Sequence, residues 1–159
     1  MTAVHAATPS DAAWIAAVMD EDWGGPTIWA DGRLNDALAL PALIAGERQG
    51  LAIYDVAGSR AELVLLYALD PRRGTGTALI EALVRRLASL GVHELWLSTT
   101  NDNLDALRFY QRRGFRLLEL RAGAVAGMRR LKPSIPLVGE FGIPMRDELR
   151  LVRPLEPST

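Results

Sequence analysis

Between Ala61 and Leu120 the chain switches repeatedly between strand and helix patterning, and this alternation limits the fold more than any other part of its 159 residues. AELVLLYALD is an apolar run of strand length that breaks at Pro71. RRGTGTALIEALVRRLASLG follows, with Leu79, Ile80, Leu83, Val84 and Leu87 on one helical stripe and Glu81, Arg85 and Arg86 opposite. Gly91 ends this helix as a C-terminal glycine should. VHELWLSTT is the second strand, NDN interrupts, LDALRFYQRRGF is a second helix and RLLEL a third strand. A strand–helix–strand unit of this length implies a right-handed crossover between parallel strands. Both helices start just after a strand, one at a basic glycine loop and the other at a Thr/Asn break. Helix N-termini carry unpaired N–H groups and a positive partial charge, so the glycine-rich junction is an anion cradle.

Upstream, PALIAGERQGLAIYDVAGSRAELVLLYAL reads as three strands joined by tight turns at ERQG and AGSR, an antiparallel meander. Crossover and meander together predict an α/β (α+β) fold with a mixed, mostly antiparallel sheet flanked by helices. A dinucleotide-binding fold is disfavoured: GTGTAL lacks the third glycine of that fingerprint, and the setting is not fully parallel. Strict alternation in the third strand places Glu62, Val64 and Leu66 on one face and Leu63, Leu65 and Tyr67 on the other. Both faces are mostly apolar, so the strand is central, and Glu62 is a carboxylate near the start of a buried strand.

The length fits a single domain over residues 1–159. A net charge of −1 argues against nucleic-acid or polybasic membrane partners. With no Cys, disulfides and thiolate chemistry are excluded, and His5 and His93 do not make a metal site. No signal-peptide pattern or membrane-length apolar run is present, so a cytoplasmic monomer or homodimer is expected.

At the N-terminal end, Val4–Ala7 is a short strand, and TPSDAAWIAAVMD opens a helix capped by Thr8 with Trp14, Ile15, Val18 and Met19 on its apolar face. EDWGGPTIWADGR is turn-rich. Its acids Asp20, Glu21 and Asp22, beside Trp23 and Trp29, either receive a cationic amine or form a solvated loop with core-facing indoles. Leu34–Ala39 is expected as a short helix. Beyond RLLEL, residues 121–146 are long for one connection. AGAVAGMRRLK suggests a short helix there, while Pro133, Pro136, Gly139, Gly142 and Pro144 make the rest irregular, as in many binding loops. Arg129, Arg130, Lys132, Asp147 and Glu148 either line an acceptor site or face water. DELRLVRPL is the last strand and EPST a frayed tail.

RRGTGTALIEAL and NDNLDALRFYQRRGF, taken together, resemble the two signature regions of the GNAT superfamily of acyl-CoA N-acyltransferases, over residues 40–120. The segment LKPSIPLVGEFGIPMRDELRL is similar to that of a bacterial subgroup. The resemblance implies a six- to seven-stranded sheet splayed between its fourth and fifth strands, with acetyl-CoA as cosubstrate, an amine as acceptor and no metal. The chain departs from the family pattern at Pro71, where Arg or Gln is usual, so Arg72 or Arg73 must supply the positive charge.

For the pyrophosphate, Gly74 and Gly76 allow close backbone approach, while Arg73, Thr75, Thr77 and Ala78 can contribute N–H groups; the other reading is a plain tight turn before a helix. The resemblance assigns the pantetheine arm to backbone groups of Leu66, Tyr67, Ala68 and Leu69, as an added strand. The spacing N-x-x-A-x-x-x-Y falls on Asn103, Ala106 and Tyr110. Asn103 is expected to hold the CoA arm, or merely to cap the helix. Tyr110, two turns on, is the expected acid for the departing thiolate, or a core aromatic. Lacking Cys and a G-x-S-x-G elbow, the chain should avoid an acyl-enzyme and use direct attack by the amine. Glu62 is the candidate base through a water, matching the basic glutamate of some members; a strand-edge ion pair is the other reading. A non-catalytic acyl-CoA-binding or regulatory domain is the alternative function.

Overall fold

The computed structural model describes residues 2–156. The chain forms two compact units, Met1–Leu95 with Leu155–Thr159, and Trp96–Pro154. Of the expected tail EPST, all but Glu156 lies outside the described residues.

The first unit contains β1 (Val4–Ala6), α1 (Ala12–Trp23), β2 (Thr27–Ala30), β3 (Arg33–Asp36), β4 (Ala42–Ala45), β5 (Gly50–Ala57), β6 (Arg60–Ala68) and α2 (Thr75–Ser89). Its sheet order is β1-β4-β5-β6, each neighbour antiparallel, which is the expected meander with one N-terminal strand added. Before α1, the Thr8 backbone N–H donates to Asp11 Oδ2 at 3.0 Å, fixing the chain entry. Ile15, Val18 and Met19 of α1 are buried with Leu51, Ile53 and Leu65 of the sheet. The opposite sheet face meets α2: the Arg86 Nε donates to the Tyr54 hydroxyl at 2.9 Å. Gly50 lies on that face too, where an added Cβ would come within 2.5 Å of Thr75 Cγ2 and 3.0 Å of Leu79 Cδ1. Its missing side chain is what lets the first turn of α2 settle on the sheet.

Two local expectations fail here. Leu34–Asp36 belongs to strand β3, paired with β2, and only Ala37–Ala39 is helical, as one 3-10 turn. The reason is the turn Asp31–Gly32, both with positive φ (49° and 71°), which closes a two-residue hairpin. The alternation of β6 is also broken. Ile53 pairs with Leu65 but Tyr54 with Leu63, leaving Val64 as the extra residue of a bulge. Glu62, opposite Asp55, therefore shares its face with Leu65 and Tyr67, and not with Leu66 as strict alternation requires.

β7 (Glu94–Thr100) begins at the end of the first unit, and the second continues with α3 (Leu104–Gln111), β8 (Arg116–Arg121), α4 (Ala124–Leu131) and β9 (Glu148–Pro154). The strand order there is β7-β9-β8, with β8 and β9 antiparallel. Trp96, Leu97, Phe115, Val125, Met128 and Leu151 are its buried apolar side chains among the described residues. β8 carries a second bulge: Leu117 pairs with Leu151 and Glu119 with Arg150, leaving Leu118 extra. The bulge gathers Leu117 and Leu120 on one face and Glu119 and Arg121 on the other, so RLLELR forms a strand without alternating in sequence. Arg121 Nη1 and Glu148 Oε1, directly opposed across the pair, lie 3.2 Å apart. The fold class is α/β, as expected, with seven strands in mostly antiparallel sheet pairing and four helices among the described residues.

Candidate active site

The expected site residues fall into two groups, one in each unit. In the first unit, β6 ends at Ala68 and α2 begins at Thr75, so the connecting loop is six residues long, Leu69–Gly74. Asp70 organises it. Its Oδ1 accepts from the Arg72 backbone N–H at 3.1 Å, and its Oδ2 accepts from Arg73 Nε at 3.1 Å. Of the two arginines expected to replace the missing first-position residue, Arg73 is thus tied back to the loop in an exposed i,i+3 pair. Such a pair is weak in water and can open for a doubly charged anion. Gly74 is the N-cap, with φ 75°, a left-handed conformation that glycine adopts without strain. The Ala78 N–H is already taken: it donates to the Gly74 carbonyl at 3.0 Å in the first helical bond. Donors for an anion must therefore come from earlier in the turn, at Thr75 and Gly76 in particular, where no i−4 carbonyl exists within the helix.

Leu66, Tyr67, Ala68 and Leu69 stand at the C-terminal end of β6, and one edge of that stretch is already in use. Leu66, Tyr67 and Ala68 are in register with Ala52, Leu51 and Gly50 of β5, and the Leu69 N–H donates to the Gln49 carbonyl at 2.9 Å. Tyr67 packs edge-on against Trp23, ring centroids 6.4 Å apart. Burial pushes the Tyr67 phenol up from its ordinary value, and the nearby carboxylates of Asp22 and Glu21 push it further. Farther back along the same face of the bulged strand, Glu62 is only 5% exposed. An acid–aromatic surface thus lies on the α1 face of this sheet. Asp20, Glu21 and Asp22 are exposed and Trp23 packs half-buried against the core, as the solvated reading of the EDW segment has it, although all four stand at the end of α1 and not in a loop.

In the second unit, Asn103 caps α3, its Oδ1 accepting from the Ala106 N–H at 3.3 Å. Tyr110 lies near the C-terminal end of the same helix, edge-on to both Phe109 and Phe115, with centroids 5.2 and 5.5 Å away. Burial drives its phenol far above the ordinary tyrosine range, which keeps the proton on at any working pH. Within this unit the structure brings Asn103, Ala106 and Tyr110 together on one short helix.

The roles of Asn101 and Asp102 are not legible in the sequence. Asn101 Oδ1 accepts from the N–H groups of Arg146 and Asp147 at 2.9 and 3.0 Å, and its Nδ2 donates to the Pro144 carbonyl at 2.9 Å. Asp102, 4% exposed, accepts from the Thr100 hydroxyl and, at 2.9 Å, from the Glu140 N–H. These two side chains fasten the distant segment 137–147 to the start of α3. Three candidates for the acceptor site have structural work instead. Arg129 donates to the carbonyls of Ile135, Pro136 and Met145, Asp147 accepts from the Gly123 N–H, and Glu148 is buried beside Arg121.

Known proteins place these features in a family. The family model described as "Acetyltransferase (GNAT) family" matches residues 11–115. A Bacillus subtilis (strain 168) protein named YxbD, itself described as uncharacterized, is 36% identical over 146 residues, covering 89% of this chain and 92% of its own length. The solved ribosomal-protein-S18-alanine N-acetyltransferase from Escherichia coli is similar in fold, with a TM-score of 0.68 at 18% identity over 100% of this chain and 97% of that one. A GNAT family acetyltransferase from Elizabethkingia anophelis, solved with acetyl-CoA bound, gives a TM-score of 0.66 at 18% identity over 97% and 98% of the two chains.

Proposed function

Because the chain belongs to the GNAT acetyltransferase family, we propose that it moves an acetyl group from acetyl-CoA to a primary amine, by direct attack of the amine on the thioester. The observation that carries the reading is the loop from Asp70 to Gly76: two exposed arginines and a left-handed Gly74 immediately precede the first turn of a fifteen-residue helix. Those residues fit a pyrophosphate. The Elizabethkingia relative, solved with acetyl-CoA bound, supports the choice of cosubstrate.

In the proposed reaction the amine nitrogen forms the new C–N bond and the C–S bond breaks. The nitrogen's proton passes to Glu62 through a water, and the departing thiolate takes the proton of the Tyr110 hydroxyl. Glu62 suits its part as a buried carboxylate on the central strand β6, and farther along the same face Tyr67, with Trp23 and the acids Glu21 and Asp22 near it, favours a cationic amine. Tyr110 suits its part because a tyrosine phenol carries its proton at neutral pH; burial keeps the proton there while making the phenol a weaker acid. Asn103, positioned by its own cap bond, would hold the arm of the cosubstrate.

The test is to incubate the protein with acetyl-CoA and a panel of primary amines while following release of free thiol. Amine-dependent release with a matching N-acetylated product is expected. CoA binding by calorimetry without release for any amine would leave a non-catalytic acyl-CoA-binding domain, and absence of both would overturn the reading.

A further inference from the structure

Among the described residues β8 stands last in the strand order, with β9 on one side and no strand on the other. Its outer edge therefore offers unpaired backbone groups, the usual template for another strand. Arg116 through Leu120 are all exposed, and the leucines stand far out of the core: Leu117 is 57% exposed, Leu118 56% and Leu120 60%. Soluble chains normally blunt such an edge with charge. Arg121 is already engaged by the buried Glu148. The charges left are Arg116 and Glu119, one of each sign, and neither has an ion-pair partner among the described residues.

The bulge decides what this edge fits. A twofold axis normal to the sheet sets two β8 strands antiparallel and keeps each face on its own side, so residues that meet across it must share a face. In a regular strand only residues an even number apart do so. Leu118, the extra residue against β9, puts Leu117 and Leu120 on one face although they are three apart. With the axis between Leu118 and Glu119, each Leu117 meets the other strand's Leu120. Each Glu119 then lies diagonal to the other strand's Arg116, about 7–8 Å away and within reach of long side chains. Arg116 falls opposite Arg121, whose charge Glu148 offsets. Four leucines and two pairs of opposite sign thus come together from Arg116–Arg121 alone when the second strand is another copy of the first.

We propose that the β8 edge is a homodimer interface, in which two copies of this chain pair antiparallel about Leu118 and Glu119. The assembly closes at two, because the twofold consumes the same edge of both copies. One short strand a side is small for a stable interface, so the dimer is weak and reversible, with a dissociation constant of about 10–100 µM. The proposal is independent of the acyl-transfer reading, and no residue assigned to that chemistry takes part in it.

The experiment is sedimentation velocity over a concentration series, with circular dichroism to confirm that each variant is folded. The wild type should pass from monomer to dimer through the range above. Leu120→Lys should raise the dissociation constant at least tenfold. Glu119→Arg and Arg116→Glu should each weaken self-association, because like charges then face each other on both diagonals. Mixed one to one, those two variants should form a heterodimer, since both opposite-sign pairs are restored; a contact within one chain would not respond to mixing. The proposal is overturned by a wild type still monomeric at about 200 µM, by species larger than a dimer, or by a dimer that none of the variants weakens. Charge variants that weaken the dimer yet do not pair on mixing overturn it as well.

Discussion

Glu62 and Tyr67 rise from the same face of β6 although an odd number of positions separates them, because Val64 is the extra residue of a bulge between them. In a regular strand the two would point to opposite sides, and Glu62 would lie on the face covered by α2. The bulge instead turns it to the face shared with Leu65 and Tyr67, where α1 packs. A carboxylate that is only a puzzling residue in an apolar run is thus turned to the α1 face of the sheet, and that placement underlies its proposed role as base.

Glu62→Gln preserves shape and removes the base. At neutral pH, where most amines are protonated, turnover should fall about 10²–10⁴-fold. The deficit should shrink as pH rises toward the amine's own pKa, since the nucleophile then needs no help. A pH–rate profile of both proteins checks this, and a constant deficit at every pH would make Glu62 a structural carboxylate.

Gly76→Asp puts a side chain and a negative charge into the first turn of α2, where the pyrophosphate's charge is expected. CoA affinity should drop at least 100-fold, about 3 kcal/mol. Calorimetry with CoA, alongside circular dichroism to confirm folding, gives the measurement; unchanged affinity in a folded variant would free the loop of this role.

Asp102→Ala tests the fastening of the 137–147 segment. The Glu140 N–H and the Thr100 hydroxyl would lose their acceptor, a cost of about 1–3 kcal/mol for two partly buried bonds. Urea titration should show that loss. Asp102→Asn retains one acceptor oxygen and should recover part of it. Stability unchanged in the Ala variant would mean that Arg129 and Asn101 hold the segment unaided.

What is legible in the sequence follows from patterns that repeat over many residues. The α2 stripe, the meander turns and the break at Asn101–Asn103 stand where periodicity and turn chemistry put them. Such patterns fail where one residue alters the register. The bulges at Val64 and Leu118 each flip the faces downstream, and nothing local in LVL or LLE announces them. Asp31–Gly32 is a strong two-residue hairpin signal for β2 and β3, but it is hidden in a segment that is turn-rich throughout. The bonds from Asn101 and Asp102 span about forty residues of sequence, a separation at which no local pattern carries information. The arginine and carboxylates of residues 129–148 look like ligands because charge alone does not reveal a backbone partner, as for Arg129 and Asp147, or a cross-strand arginine, as for Glu148.

Tyr110→Phe is the most direct test of the proposed chemistry, because it removes one oxygen and leaves the ring. That ring is packed edge-on between Phe109 and Phe115, an arrangement phenylalanine can keep, so folding and CoA affinity should hardly change. Without the phenol, the thiolate must leave unprotonated or take its proton from water. If Tyr110 is the acid, kcat should fall about 10²–10⁴-fold with KM for acetyl-CoA nearly constant. The same hydroxyl gives a second readout. Its ionisation is raised above the ordinary value of 10.0 by burial, so above that pH the folded protein binds more protons than the unfolded one. That excess makes stability fall with rising pH, from the unfolded phenol's pKa up to the folded one's. The alkaline loss should be smaller in Tyr110→Phe, measured as Tm between about pH 9 and pH 11. Full activity in the variant together with a gentler alkaline slope would confirm the burial while removing Tyr110 from the mechanism.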